Sequence, residues 1–157
     1  DPLRKFATGI HSWRSERGMD VHQSIIPHSY GSTTAGIAMR DIGKDVVDDF
    51  AYTGSPGAGV ASVGTLGVDK DHVWVSGITH LDWVRGMGPD EDFGRNPEQL
   101  EGIGHLSGDA SGAKGYEAGF KGDPFDNHSM YFVAPKEGQD NRVLDDLGRV
   151  IAGKKTR

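Results

Sequence analysis

The sequence predicts an α/β fold, a mostly parallel sheet with helices on both faces, and three observations predict it. Short apolar runs of strand length, bounded by turn residues, recur at 21–26, 46–52 and 71–77. Helical patterns accompany them: apolar residues at three-and-four spacing near the start, small residues over 32–40, and a second amphipathic stretch over 140–152. Alternation of this kind calls for parallel pairing, and parallel sheets gather functional residues at the C-terminal ends of their strands.

Taken in order, Asp1 is placed to cap a first helix and Pro2 to occupy its first turn, where a missing N–H costs nothing. Leu3, Phe6, Ala7, Ile10 and Trp13 form the apolar stripe, which predicts packing against a sheet, and Gly18 ends the helix. The strand at 21–26 then runs through Pro27-His28-Ser29-Tyr30-Gly31 into the helix Ser32 to Arg40, where Ala35, Gly36 and Ala38 allow close approach to the strands. Val46 to Tyr52 is the next strand, emptying into the glycine-rich loop Thr53-Gly54-Ser55-Pro56-Gly57-Ala58-Gly59. That loop lacks the Gly-Lys-Ser/Thr ending of a phosphate loop and reads as a strand-end loop beside the site. A short helix over Val60 to Leu66 and a strand over Asp71 to Gly77 follow.

Composition bounds the rest. The chain has 157 residues, 35% hydrophobic, with 24 glycines, which suits one domain over 1–157 with a real core and long loops. A net charge of −6 without any basic stripe argues against a nucleic-acid or anionic-membrane partner. The basic tail Lys154-Lys155-Thr156-Arg157 reads as a solvated terminus. With no cysteine, disulfides, thiolate catalysis and cysteine-based zinc sites are excluded, while the compartment stays open. No apolar run reaches the length of a membrane span.

From Gly86 to Asp126 periodicity is lost, and 86–126 reads as a glycine-rich lid or loop excursion within the domain. Asp90, Glu91 and Asp92 sit together there without a calcium-loop spacing, so they read as a solvated turn, and no metal is expected. Tyr116 to Phe120 is the candidate last strand, and Asp140 to Ala152 the closing helix, capped at Gly153.

The stretch that carries chemistry is the corner at Ser29. A serine between a strand and a helix is held out of the sheet, and the next amide, that of Tyr30, sits at a helix N-terminus pointing at the same spot. Ser29 is thus the nucleophile candidate and the Tyr30 N–H half of an oxyanion hole; the other reading is an ordinary helix cap. The pattern G-x-S-x-G lacks its first glycine, whose place Pro27 takes. A serine needs a base oriented by a carboxylate. Asp82, just past the third strand, stands where a triad acid belongs, although its spacing equally suits a cap for the turn through Trp83-Val84-Arg85. Among seven histidines, His11 and His22 read as structural, His72 starts a strand, and His28 lies on the wrong side of the corner. His80 shares a loop with Asp82, which leaves His128, in the order Ser29, Asp82, His128, with His105 as runner-up. His28 and Trp83, beside the serine and the aspartate, are the substrate-binding candidates.

His28-Ser29-Tyr30-Gly31-Ser32-Thr33-Thr34, then Thr53-Gly54-Ser55-Pro56-Gly57, Val73-Trp74, Asp82-Trp83-Val84 and His128-Ser129 with Tyr131 together resemble an actinobacterial α/β-hydrolase family of uncharacterised function. The resemblance covers most of the chain and implies a triad of Ser29, Asp82 and His128 acting without a cofactor. Pro27 and the long excursion before His128 depart from it. It also implies an incomplete α/β-hydrolase fold lacking its N-terminal strands, because only 20 residues precede the strand leading to Ser29. An N-terminal polypeptide completing the sheet, or a homo-oligomer, is the expected partner. Two functions follow: a serine hydrolase cleaving a small ester or lipid-like acyl bond, or a non-catalytic assembly subunit that kept the corner without turnover.

Overall fold

The computed structural model describes residues 2–79, 82–118, 125–154 and 156. Four parallel strands, β1 (Ser24–Ile25), β2 (Asp49–Thr53), β3 (Val73–Ser76) and β4 (Gly104–His105), lie side by side in chain order. The register sets Ser24 against Asp49, Phe50 against Val73 and Trp74 against Gly104. Among the described residues four helices accompany them: α1 (Pro2–Ser15), α2 (Tyr30–Met39), α3 (Asp90–Phe93) and α4 (Arg142–Ile151).

Side chains alternate across a strand, so β2 sends Phe50 and Tyr52 to one face and Ala51 to the other. Phe50 and Tyr52 meet Ala7 of α1 and Ala35 and Met39 of α2 in one apolar cluster. Ala51 lies in the second cluster with Val143, Leu147 and Val150 of α4. Helices therefore cover both faces, as the alternation predicts. β2 is buried along its whole length, which explains why Phe50, Ala51 and Tyr52 run on without polar alternation between the buried Asp49 and Thr53.

Several boundaries differ from the sequence reading. The first strand shrinks to two residues, and α2 begins at Tyr30 rather than Ser32 because the corner passes straight into a helical turn. Val60 to Leu66 supplies only a 3₁₀ turn at Val63–Thr65. The stripe on α1 is covered less than expected: Ala7 is buried, whereas Phe6 and Trp13 are 67% and 51% exposed. Trp13 instead carries the Arg17 guanidinium over its ring at 4.3 Å, and Phe6 lines a groove beyond β1. The excursion over 86–126 contains α3 and β4, so it supplies an edge of the sheet. Tyr116 to 118 is not a strand, and the remainder of that candidate, like His80 and the cap at Asp1, lies outside the described residues. No helix among the described residues is long and apolar enough to cross a membrane.

Candidate active site at the C-terminal edge of the sheet

The corner begins where β1 ends. The Pro27 carbonyl accepts hydrogen bonds from the Thr53 amide (3.2 Å) and hydroxyl (2.8 Å), so β1 stays tied to β2 although a proline stands where the motif has glycine. His28 pairs with Thr53 in an isolated parallel bridge, and the Ser29 amide donates to the Thr53 carbonyl at 3.0 Å. Ser29 itself sits at φ 58°, ψ −141°, a region that costs a non-glycine residue about 1–3 kcal/mol. Its side chain makes no cap hydrogen bond, which removes the support for the helix-cap reading. Its carbonyl is held by the Ser32 amide (2.9 Å) and hydroxyl (2.5 Å), which fixes the turn. The Tyr30 amide is the first of α2, where helical N–H groups have no intrahelical acceptor. The Tyr30 ring is 63% exposed and meets Phe93 edge-on at 5.8 Å.

Asp82 lies past the end of β3, its side chain fully buried. Oδ1 accepts from the Val84 amide at 3.1 Å and faces His128 Nδ1 at 2.9 Å; Oδ2 accepts from the Tyr131 hydroxyl at 2.5 Å. The Asx turn onto Val84 that the cap reading expects is therefore present, but no helix follows it, and the same oxygen engages His128. Burial alone would raise the Asp82 pKa; the hydrogen bonds from His128, Tyr131 and Val84, with the nearby His128, outweigh it and hold the carboxyl below its ordinary range.

His128 and Tyr131 ride on one 3₁₀ stretch, Asp126–Phe132. With three residues per turn, positions i and i+3 eclipse, so both side chains reach the same carboxylate. Two buried asparagines fix this turn. Asn127 exchanges hydrogen bonds with the Glu117 backbone at 3.1 and 2.7 Å, and Asn141 donates to the carbonyls of Met130 and Val133 at 3.1 and 2.9 Å. Tyr131 also accepts from the Ile78 amide at 3.0 Å, which ties the turn to the end of β3. Burial and then the Asp82 charge push its hydroxyl well above the ordinary tyrosine pKa, so it remains a donor. The other ring nitrogen of His128, Nε2, is buried and has no hydrogen-bond partner among the described residues, Ser29 included.

The structure thus joins Asp82 to His128 directly, and joins His128 to the serine corner through His28, whose ring lies 4.4 Å from that of His128. His28, read from sequence as a substrate contact, spends its Nε2 on the His128 carbonyl at 2.7 Å. Trp83 is 58% exposed beside Asp82. The runner-up base His105 is exposed on β4. Asp90, Glu91 and Asp92 are exposed in α3. His22 and His72 bind the buried Asp49 at the opposite end of the sheet, at 2.7 and 3.0 Å.

Sequence reasoning quoted two contributors without giving either a role. Tyr131 was legible in principle as the i+3 partner of His128. Gly54 follows β2 at φ +53°, and a Cβ there would lie 2.9 Å from Tyr131, 3.0 Å from His128 and 3.1 Å from Asp82. Only a glycine leaves room for all three.

A family model described as alpha/beta hydrolase matches residues 2–91, more than half of the chain. No curated protein and no solved structure is matched.

Proposed function

This chain belongs to the alpha/beta hydrolase family, and from that premise we propose that it is a serine hydrolase cleaving a small ester or lipid-like acyl bond. The observation that carries the reading is the His128 ring: Nδ1 faces a buried carboxylate, while Nε2 is buried with its hydrogen-bonding capacity unspent, on the side chain packed against the neighbour of a strained serine. Buried polar atoms are rarely left unpaired, and a catalytic role is one of the few explanations for one that is. Because the Asp82 carboxylate only accepts, Nδ1 carries a proton, and in the neutral ring Nε2 is the free base.

In the proposed reaction the Ser29 hydroxyl attacks the acyl carbon as its proton passes to His128 Nε2. Asp82 steadies the imidazolium, and the Tyr30 N–H receives the developing oxyanion. The imidazolium then protonates the leaving alcohol, and water activated by the same nitrogen releases the acid and restores the serine. No cofactor is required by these steps. That Ser29 and Nε2 are not yet hydrogen-bonded favours the non-catalytic reading, but catalytic hydrogen bonds commonly tighten only with substrate bound. Labelling with a fluorophosphonate separates the two. Stoichiometric modification lost in Ser29→Ala supports the hydrolase; no Ser29-dependent labelling ends it.

The partner expectation attaches to the outer edge of β1. Beyond it lies an apolar groove of about 480 Å³ between α1 and α4, lined by Leu3, Phe6, Ala7, Ile10, Ile25 and Ile151. A parallel edge overhung by helices from both layers suits an added extended segment. Between Pro2 and Ser15, α1 bears Arg4, Lys5 and Arg14 and no acidic residue, so two copies meeting along it would oppose like charges. The proposed occupant is therefore a strand of a different polypeptide segment, with acidic flanks. An active chain that stays monomeric in light scattering, with no such segment bound, overturns this.

A further inference from the structure

We propose that His28 is a positioning residue whose Nε2–H clamps the main-chain carbonyl of His128, fastening the turn that carries the imidazole to the residue beside Ser29. The clamp rests on geometry; its catalytic consequence rests on the serine-hydrolase reading.

The acceptor is a carbonyl, so at 2.7 Å the His28 nitrogen must donate. The ring is hemmed in by the 3₁₀ stretch: His128 at 4.4 Å with a 33° tilt, Tyr131 at 5.5 Å and Phe132 edge-on at 6.0 Å. The titratable groups facing it are His128, Tyr131 and Asp82. Burial pulls the His28 pKa below its ordinary value; the bond to the His128 carbonyl opposes this, the nearby His128 adds to it, and Asp82 opposes it, with the net shift downward. His28 is thus a neutral imidazole near pH 7, protonated on Nε2, and sets no positive charge against the imidazolium that forms on His128.

Two separate bonds are needed because they fix different things. Asp82 fixes the rotation of the His128 ring through Nδ1, but a ring on a wandering backbone still swings its far nitrogen. Asn127 and Asn141 hold the turn's other positions, and the His28 bond ties the carbonyl of residue 128 itself to the serine corner. Its own anchor is firm: the His28 bridge to Thr53 and the Ser29 amide bond to Thr53 make nucleophile and clamp move with β2 as one unit. Displacements of about 1 Å in such a constellation cost on the order of 10²-fold in rate.

The test uses the full chain with three readouts: the second-order rate of fluorophosphonate labelling at Ser29, far-UV circular dichroism, and ¹⁵N imidazole spectra. His28→Phe keeps a ring but no donor, whereas His28→Gln restores an N–H near the Nε2 position. The expected result is a labelling rate lower by about 10- to 100-fold in His28→Phe, recovery to within a few-fold in His28→Gln, and native dichroism in both. Equal rates in wild type and His28→Phe overturn the proposal, as does a loss in His28→Gln as deep as in His28→Phe. If His28→Phe fails to fold, the wild-type spectrum decides: a proton on Nε2 of His28 bonded to carbonyl supports the clamp, and an Nδ1–H tautomer overturns it. A wild-type chain that never labels sinks the hydrolase reading, while the tautomer still judges the clamp.

Discussion

Tyr131→Phe isolates the hydroxyl that holds Asp82 from below. Two bonds vanish together: the one donated to a buried carboxylate, and the one accepted from the Ile78 amide. A hydrogen bond to a charged group contributes about 1.5–3 kcal/mol, and a buried amide left unpaired costs about 1–3 kcal/mol. Shared relaxation makes these less than additive, so the expected loss is about 3 kcal/mol, a fall in Tm of roughly 6–12 °C for a chain of this length. The sign of the pH effect follows from Asp82. Its folded pKa lies below the ordinary 3.8, so its contribution is complete above that value and drains away as the pH falls through the folded pKa. Removing Tyr131's hydroxyl takes away one of the bonds that lowers it, so the gap between wild type and variant is largest near neutrality and narrows under acid. Urea unfolding at pH 7 and at successively lower pH, with ¹³C observation of the Asp82 carboxyl, measures both. A loss below about 0.5 kcal/mol, or an Asp82 carboxyl titrating as in wild type, would refute the reasoning.

Other perturbations probe neighbouring parts. Gly54→Ala forces a Cβ into contact with Tyr131, His128 and Asp82 at a positive φ, and is expected to cost about 2–4 kcal/mol in urea unfolding and to abolish Ser29 labelling. Ser29→Gly relieves the strained dihedrals and is expected to raise stability by about 1 kcal/mol while eliminating labelling; a destabilised variant would contradict the strain. Asp49→Ala strips the acceptor from Trp74, His22 and His72 and is expected to cost about 3 kcal/mol, leaving the labelling rate of the folded fraction unchanged. His28, neutral when buried, has a folded pKa below its ordinary 6.5; stability is complete above 6.5 and declines as the pH falls from there towards the folded value, a decline that His28→Gln removes in chemical unfolding curves.

The chain declares its layers because burial leaves marks in residue type. β2 is buried on both faces and shows it in the unbroken Phe50-Ala51-Tyr52, and α4 reads as helix because a single face is apolar. β4 was invisible for an equally physical reason. Gly104 has no side chain where a Cβ would lie 2.3 Å from the Trp74 ring, so the indole that fills the space advertises nothing in the local sequence of Gly-His. The corner was legible because Ser29 is followed by a run of small residues; the tie between Asp82 and Tyr131 was not, since a contact 49 residues apart has no local signature.

The molecule holds two arrangements built from the same parts, and comparing them separates chemistry from architecture. At the N-terminal end of the strands, buried Asp49 receives His22, His72 and the Trp74 indole. At the C-terminal end, buried Asp82 receives His128 and the Tyr131 hydroxyl. Residue types alone would nominate either. At Asp49 the His72 side chain is half-exposed and His22 also lies 3.2 Å from the Val150 carbonyl, so the cluster works as a latch across β1, β2, β3 and α4. At Asp82 the second imidazole nitrogen is buried with no partner among the described residues, and the neighbouring loop bears a serine held at positive φ with a helix N-terminus behind it. A satisfied histidine has no reason to exchange a proton with anything new. An unsatisfied one, fixed on both its ring and its backbone, suits the proton transfer proposed above, and that difference favours Ser29 over the latch as the place of the proposed chemistry.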